Sequence, residues 1–259
     1  MITINYYPKY ILKICFFSLL FSLFSLSHAE GTLPDFTKIV EKNIPAVVIV
    51  NATRTITQNN KKPQLNMPGV PEEFRPFFDK FFDDNNGQGN RYRQAPSFGS
   101  GFILSTDGFI MTNLHVVNNA DQITITFSDH TELDAKLIGT DKRSDLALLK
   151  VDADDLPVVT IGTSENLKIG EWVLAIGSPF GFDHTVTAGI ISGKKRTLPN
   201  ESYVPYIQTD VAINPGNSGG PLFKNKKIIG LISSKVISSG VEGTGFVIPI
   251  KQYLNIQEK

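Results

Sequence analysis

The sequence predicts an all-β fold of two six-stranded antiparallel β-barrels. From Phe98 onward, short runs rich in β-branched and aromatic residues alternate with turn signals, which is typical of all-β domains. A long stretch with the 3.6-residue period of a helix is absent from this region. About six strand candidates precede Asp152 and about six follow Thr160. We therefore expect residues 152–159 to join two barrels of equal strand number.

The first 29 residues are typical of a cleaved secretory signal peptide. Lys9 and Lys13 precede the apolar run Ile14–Leu26, and Ser27-His28-Ala29 provides the small residues that signal peptidase reads. The apolar run is short for a membrane span, which needs roughly 20 residues. We expect export, cleavage and no stable membrane insertion of the mature domain, residues 30–259. An uncleaved, membrane-associated N-terminus is the alternative.

The composition is that of an ordinary globular domain. The chain has 259 residues, of which 41% are hydrophobic and 19% charged, and its formal net charge is zero. A neutral chain has no global attraction to nucleic acid, so a nucleic-acid partner is not expected. Its single cysteine, Cys15, lies in the signal segment, so the mature domain is stabilised without disulfides. No metal-ligand spacing is evident, and no cofactor is expected.

The N-terminal barrel is predicted at about residues 46–152. A short helix over Lys38–Lys42, capped by Asp35 or Thr37 and stopped by Pro45, is expected before the first strand. That strand is Ala46–Thr57, because β-branched residues dominate it. The later candidates in this barrel are Gly99–Ser105, Phe109–Thr112, Gln122–Phe127, Glu132–Asp141 and Leu146–Val151.

A long loop is predicted between the first two strands. Residues 58–97 are rich in asparagine, glutamine, proline and glycine, and they include a cluster of phenylalanines. Loops of this length are usually functional or disordered. The phenylalanines either pack on their own domain or dock on another subunit, and the sequence does not favour one alternative.

The C-terminal barrel is predicted at about residues 160–250. Its candidate strands are Val173–Ile176, Thr185–Lys194, Tyr206–Asp210, Pro221–Phe223, Ile228–Val236 and Thr244–Pro249.

The run Asp210–Leu222 places Ser218 among glycine, asparagine and proline between two apolar segments. A serine nucleophile needs a neighbouring base and unobstructed backbone N–H donors near the developing oxyanion. Gly216 and Gly219 meet the second requirement. A polar turn between strands is the alternative for such a run taken alone.

His115 is the best candidate for the base. It follows an apolar strand and precedes two valines, so we expect a half-exposed ring on a short helical turn, whereas His130 and His184 lie in predicted loops. Asp145, immediately before an apolar strand, is the best carboxylate to orient the imidazole. The order His115, Asp145, Ser218 across two barrels favours a catalytic set over three unrelated residues.

Five segments resemble the HtrA/Deg serine proteases, a chymotrypsin-like family, over about residues 35–250. They are Thr112-Asn113-Leu114-His115-Val116-Val117, Asp145-Leu146-Ala147-Leu148-Leu149, Gln208-Thr209-Asp210, Ala212–Leu222 and Gly245-Phe246-Val247-Ile248-Pro249. The resemblance implies that His115 is general base and then acid, Asp145 orients it, and Ser218 is the nucleophile. It also implies an oxyanion hole made by the N–H groups of Gly216 and Ser218, with Asn217 shaping the turn.

The same resemblance implies an ATP-independent endopeptidase of the periplasm that cleaves unfolded or damaged proteins. It implies a homotrimer formed through the segment before the first strand, with larger assembly through residues 58–97 as an extension. The chain ends at Lys259, where the family usually continues into PDZ domains, so no PDZ domain is expected. A chaperone-like module that binds unfolded proteins, with weak or lost proteolysis, is the alternative function.

Substrate contacts are expected along the strand after the nucleophile. The residues predicted to bind substrate are Ile213, Leu231, Ile232, Ser233, Ser234 and Lys235. Family members typically have asparagine, threonine and a small apolar residue at Ile232, Ser233 and Lys235, so Lys235 is expected to shift the preference. Asn217 lacks the charge that pairs with a newly cut N-terminus in many related enzymes. We therefore expect activation by rearrangement of loops near Gly181–His184 and Lys194–Tyr203.

Overall fold

The computed structural model describes residues 34–57, 92–178, 184–198, 201–233 and 243–257. The chain divides into Met1–Asp35 and Phe36–Lys259, and the second unit contains every element described below. In chain order these elements are α1 (Thr37–Asn43), a 3₁₀ turn (Ile44–Ala46), β1 (Val47–Thr57), β2 (Tyr92–Ile103), β3 (Phe109–Asn113), α2 (Leu114–Val117), β4 (Gln122–Thr126), β5 (Glu132–Asp141), β6 (Leu146–Val151), β7 (Trp172–Gly177), β8 (Thr185–Leu198), β9 (Glu201–Thr209), β10 (Pro221–Lys224), β11 (Lys227–Ser233), β12 (Gly245–Pro249) and α3 (Lys251–Gln257).

The strands close into two six-stranded barrels. The first barrel has the order β1-β2-β3-β6-β5-β4 and the second β10-β11-β12-β9-β8-β7. All strand pairs are antiparallel, which confirms the predicted fold class. The bounds of β5 and β6 agree with the prediction residue by residue.

Three hydrophobic clusters form the core of the part of the chain that the structure describes. One fills the first barrel and includes Val50, Ile103, Ile125 and Leu149. Another fills the second barrel and includes Ile191, Leu222 and Ile232. The third joins residues of both barrels, among them Val47, Phe102, Leu174, Phe223 and Leu231. Burial of apolar area in this third cluster stabilises the packing of one barrel on the other.

Strand β2 begins earlier than predicted. The sequence places its start at Gly99 and counts residues 58–97 as loop, whereas β2 begins at Tyr92. The partner strand explains the difference, because β1 pairs with β2 along its whole length, from Val47 opposite Phe102 to Thr57 opposite Tyr92. The proline and glycine content around residue 95 concealed this pairing. The phenylalanine cluster at residues 74–82 lies outside the described residues.

Two further differences lie in the second barrel and at the N-terminal helix. The predicted loop Lys194–Tyr203 is largely strand, because β8 and β9 continue as a ribbon with three shifts of register. Phe36 occupies the N-cap position of α1 instead of Asp35 or Thr37, and its ring contacts Trp172 edge to face. The Phe36 carbonyl accepts the Val40 N–H at 3.0 Å, so helical hydrogen bonding begins at Phe36. Helix α3 was not predicted.

None of the described helices is long and apolar enough to cross a bilayer. The proposed signal segment, residues 1–29, lies outside the described residues.

Candidate active site

His115 lies on the one-turn helix α2, directly after β3. Its neighbours Val116 and Val117 are buried in the core of the first barrel. These two side chains fix the turn, because they fill the barrel while the histidine faces outward. The His115 side chain is 28% exposed, so part of it is accessible to solvent.

Asp145 lies in the connection between β5 and β6. Asp141 shapes this connection, since its carboxylate accepts hydrogen bonds from the Arg143 N–H at 3.0 Å and the Ser144 hydroxyl at 2.6 Å. Asp145 has a φ of 57°, in the left-handed region that aspartate tolerates better than most residues. Its side chain is only 11% exposed. The connection therefore presents a largely shielded carboxylate beside α2.

The Asp145 carboxylate binds His115 through both oxygens. Oδ2 lies 2.6 Å from His115 Nδ1, and Oδ1 accepts the His115 backbone N–H at 2.9 Å. The Asp145 carbonyl accepts two more bonds, from the Leu114 N–H and the Asn113 amide, both at 3.0 Å. An ionised carboxylate only accepts, so Nδ1 carries the hydrogen. In the neutral ring Nε2 is then the nitrogen with a free lone pair.

We define the nucleophile loop as residues 214–220, between β9 and β10. It begins with a β-turn in which the Asn217 N–H donates to the Asn214 carbonyl at 3.0 Å. Pro215 occupies the second position, and Gly216, with φ of 101°, the third. Proline followed by a residue with positive φ defines a type II turn. A side chain at residue 216 would be strained, so this turn requires glycine.

The remaining loop amides set the direction of the Ser218 peptide. The Gly219 N–H donates to the Ile232 carbonyl at 2.9 Å, and the Gly220 N–H donates to the Asn217 carbonyl at 3.0 Å. The C=O and N–H groups of a planar trans peptide point in opposite directions. Because the Asn217 carbonyl points toward Gly220, the Ser218 N–H points the opposite way.

The nucleophile loop packs directly on the first barrel. The Ser100 N–H on β2 donates to the Ser218 carbonyl at 2.7 Å. A Cβ at Gly219 would lie 2.2 Å from the Ser100 carbonyl and 2.4 Å from Thr112 Oγ1. A Cβ at Gly99 would lie 2.9 Å from the Ser218 carbonyl and 2.7 Å from the Val116 side chain. Because Gly219 in the loop and Gly99 on β2 have no side chain, the loop can approach the segments on either side of His115 closely.

The described residues contain no group of three or more histidine, cysteine, aspartate or glutamate residues positioned to hold a metal ion.

A family model described as "Trypsin-like peptidase domain" matches residues 99–231, which include His115, Asp145 and Ser218. The match covers just over half of the chain. The chain therefore belongs to the trypsin-like peptidase domain family. A "Probable periplasmic serine endoprotease DegP-like" from Pseudomonas fulva is 52% identical over 253 residues, which are 93% of this chain and 53% of the relative. A protein of the same name from Hahella chejuensis is 52% identical over 232 residues, 88% of this chain and 48% of the relative.

Solved structures agree with these relatives. The HtrA-type protease AlgW in complex with a decapeptide superposes with a TM-score of 0.66 at 34% identity, covering 87% of this chain and 67% of that one. The same protease with a tripeptide gives 0.66 at 35% identity, covering 87% and 63%. The peptidase spans about half the length of the curated relatives it matches.

The predicted substrate-binding residues have different environments. Ile213 is half-buried, and its side chain occupies the space in front of Gly245, where a Cβ would lie 2.4 Å from Ile213 Cδ1. Leu231 and Ile232 are fully buried in the core clusters, so a role of their side chains in substrate binding is not supported. Ser233 is 1% exposed, and its hydroxyl has no hydrogen-bond partner among the described residues. Ser234 and Lys235 lie outside the described residues.

Besides His115, the described residues include His130 and His184, which both lie in loops as their sequence contexts indicate. His130 is exposed with φ of 64°. His184 is half-buried, and its Nε2 donates to the Val47 carbonyl at 2.7 Å. Most of the predicted activation loop 181–184 lies outside the described residues.

Sequence reasoning missed Ser100 and Thr112 as contacts of the nucleophile loop. The only local signal in the sequence is the run of small residues Gly99-Ser100-Gly101.

Proposed function

We propose that this chain hydrolyses peptide bonds of unfolded or damaged proteins through an acyl-enzyme, with His115, Asp145 and Ser218 as the catalytic residues. The observation that carries the proposal is the two-point bond between Asp145 and His115 beside the nucleophile loop. This bond fixes both the orientation of the ring and the nitrogen that carries the hydrogen, as a general base requires.

The proposed reaction begins when Ser218 Oγ attacks the substrate carbonyl and His115 Nε2 takes the hydroxyl proton. Asp145 stabilises the imidazolium that forms. Collapse of the tetrahedral intermediate breaks the peptide bond, and His115 gives its proton to the leaving amine. Water then attacks the acyl-enzyme with His115 again as base, and the carboxylic acid product leaves with Ser218 restored.

The negative charge of the tetrahedral intermediate is placed at an oxyanion hole formed by the N–H groups of Gly216 and Ser218, with Asn217 between them. The type II turn supports this assignment. Type I and type II turns differ mainly in the orientation of their central peptide, which is rotated by roughly 150–170° between the two types. With Gly216 at φ of 101°, the Pro215–Gly216 peptide has the type II direction. A type I turn would reverse the Gly216 N–H.

We further propose that the peptidase acts in the periplasm after cleavage of residues 1–29 and assembles as a homotrimer. The names of the relatives support the location, since they are called periplasmic endoproteases. Mass spectrometry of the exported protein tests the cleavage, and sedimentation equilibrium tests the trimer. A mature N-terminus at residue 1, or a monomeric mass, would contradict these two proposals.

Replacing Ser218 by alanine tests the chemistry. The wild-type protein is expected to degrade casein and to be labelled by a fluorophosphonate, whereas Ser218→Ala loses both, with a fall in kcat of about 10⁴-fold or more. Casein hydrolysis by Ser218→Ala at the wild-type rate would refute the role of Ser218 as the nucleophile. Binding of casein without hydrolysis by the wild-type protein would instead indicate the chaperone-like module.

A matched control for that experiment is Ser105→Ala. Ser105 Oγ accepts the Phe109 N–H at 3.2 Å in the turn before β3. This variant is expected to keep the wild-type kcat, so that a loss in Ser218→Ala is specific to the nucleophile.

A further inference from the structure

Ser100 joins the first barrel to two separate segments of the second. It is fully buried on β2. Its hydroxyl donates to the Gly216 carbonyl at 2.7 Å and accepts the Ser178 N–H, just after β7, at 2.9 Å. Its backbone N–H donates to the Ser218 carbonyl at 2.7 Å. One residue outside the proposed catalytic set therefore binds the nucleophile loop at two points.

The two points lie on either side of the Asn217–Ser218 peptide. The N–H of that peptide is one of the proposed oxyanion donors. Rotation of a peptide about its flanking bonds moves the neighbouring carbonyls, because each peptide is planar and rigid. Since Ser100 holds the carbonyls of both Gly216 and Ser218, it limits rotation of the peptide between them.

Ser100 also contacts the segment that leads to His115. Its carbonyl accepts the Thr112 hydroxyl on β3 at 2.7 Å. Thr112 is fully buried and lies three residues before His115. The same carbonyl packs closely on Gly219, because a Cβ placed on that glycine would lie only 2.2 Å from it. Ser100 thus determines the spacing between the histidine-bearing segment and the nucleophile loop.

We propose that Ser100 is a positioning residue whose hydroxyl keeps the oxyanion donors of the nucleophile loop directed at the substrate carbonyl. The proposal rests on the peptidase function proposed above. Ser100 transfers no proton and its side chain is fully buried, so its effect on the reaction passes through Gly216 and Ser218. Such an effect is largest in the transition state, where the negative charge has developed.

The test compares Ser100→Ala and Ser100→Cys with the wild-type protein on a peptide substrate. In Ser100→Ala we expect kcat to fall about 10- to 100-fold, less than the loss of an entire donor, with KM within about twofold. The kcat of Ser100→Cys should lie between that of the wild-type protein and that of Ser100→Ala, because a thiol is a weak donor. The affinity for a peptide boronate, which forms a tetrahedral adduct on Ser218, should fall in parallel with kcat. The acid limb of the pH profile should not move, because the His115–Asp145 pair is untouched.

The control variant is Asn43→Ala. It removes a partly buried hydrogen bond of the same length, from Asn43 Nδ2 to the Ile39 carbonyl at 2.7 Å, within helix α1. We expect a lower unfolding temperature and an unchanged kcat. If Ser100→Ala behaves in the same way, with wild-type kcat and boronate affinity, Ser100 is only structural and the positioning role is refuted.

Amide hydrogen exchange provides a readout that does not depend on activity. The Asn217 and Gly219 N–H groups, which are bonded to Asn214 and Ile232, should exchange at least about tenfold faster in Ser100→Ala. Unchanged exchange overturns the proposal even if kcat falls. If the wild-type protein does not cleave any substrate, the proposed function fails, but the exchange rates still decide the role of Ser100. Should Ser100→Ala not fold, Ser100→Cys is compared in its place, with the same criteria.

Discussion

The His115–Asp145 pair and the nucleophile loop are held by different parts of the molecule. The hydrogen bonds that connect Asp145 with residues 113–115 lie within the first barrel. The nucleophile loop belongs to the second barrel, yet its carbonyls at residues 216 and 218 accept hydrogen bonds from Ser100 of the first. The base is therefore set by one barrel, whereas the nucleophile depends on how the two barrels pack together.

This difference has a functional consequence for the peptidase. Substitutions inside the first barrel that preserve residues 113–115 and 145 should leave the histidine oriented. Substitutions that loosen the contact between the barrels should first affect the nucleophile loop and the oxyanion donors. Two comparisons separate these effects, and a third concerns an ion pair; the expected effects decrease in that order.

The largest effect is expected from Asp145→Asn. The amide would donate to His115 Nδ1, so the ring would hold its hydrogen on Nε2 and could not accept the serine proton. We expect kcat to fall by about 10³- to 10⁴-fold, while boronate binding weakens less because the nucleophile loop is unaltered. The control is Asp134→Asn, an exposed residue on β5 whose carboxylate accepts from Gln122 and Thr124. A fall of less than tenfold in Asp145→Asn would contradict the role of the pair.

The next comparison uses the same substitution at two equally buried leucines. Leu149 lies in the core of the first barrel and Leu231 in the cluster between the barrels, and both are 0% exposed. Each change to alanine is expected to cost about 2–5 kcal/mol of unfolding free energy. At a temperature where both variants are folded, only Leu231→Ala should lower kcat/KM, by about 3- to 10-fold, because β11 binds the nucleophile loop through Ile232. Equal losses in the two variants would show that the contact between the barrels has no special role.

The smallest effect is a pH-dependent change in stability at the ion pair between Glu171 and Lys224. Glu171 receives a bond from Lys224 Nζ at 2.5 Å, and this bond lowers the pKa of the carboxyl below its ordinary value of 4.5. A carboxyl with a lowered pKa in the folded state stabilises above its unfolded pKa, and the contribution is lost as the pH falls through the folded value. We expect Glu171→Gln to cost about 0.5–1 kcal/mol at pH 7, a difference that shrinks below pH 4.5.

Chemical unfolding at a series of pH values from about pH 3 to about pH 8 measures this difference in unfolding free energy. The matched control is Glu165→Gln, since Lys251 similarly lowers the pKa of Glu165 but both side chains are more than half exposed. Its effect should be smaller, and kcat should be unchanged in both variants. If the loss of unfolding free energy in Glu171→Gln does not depend on pH, the predicted contribution of the ion pair to stability is wrong.

The predicted fold class was correct because strand signals are local. β-Branched residues dominate β1, and alternation of burial defines β4 and β6, so their positions follow from short windows of sequence. The start of β2 and the ribbon of β8 and β9 were not predicted, because composition indicates loop there while a partner strand supplies the hydrogen bonds. Helix α3 follows immediately after β12 and has no signal of comparable strength.

The candidate site was partly visible in the sequence for a different reason. A small number of histidines and one serine in a glycine-rich run restrict the choice of chemistry, so the sequence alone indicates His115, Asp145 and Ser218. The left-handed backbone of Asp145 and the contacts of Ser100 were not visible. The burial of Leu231 and Ile232 was not visible in the sequence either, and the prediction that their strand contacts substrate stays a prediction.

Local propensity and the side chains present are enough to specify the all-β class, the order of the strands along the chain and the residue types available for chemistry. The tertiary structure decided which of these residues meet. His115 and Asp145 are 30 residues apart, and Ser100 and Gly216 are 116 apart. Such pairs form only when each barrel closes and the two barrels pack together, because no local preference of the chain specifies a contact at that separation.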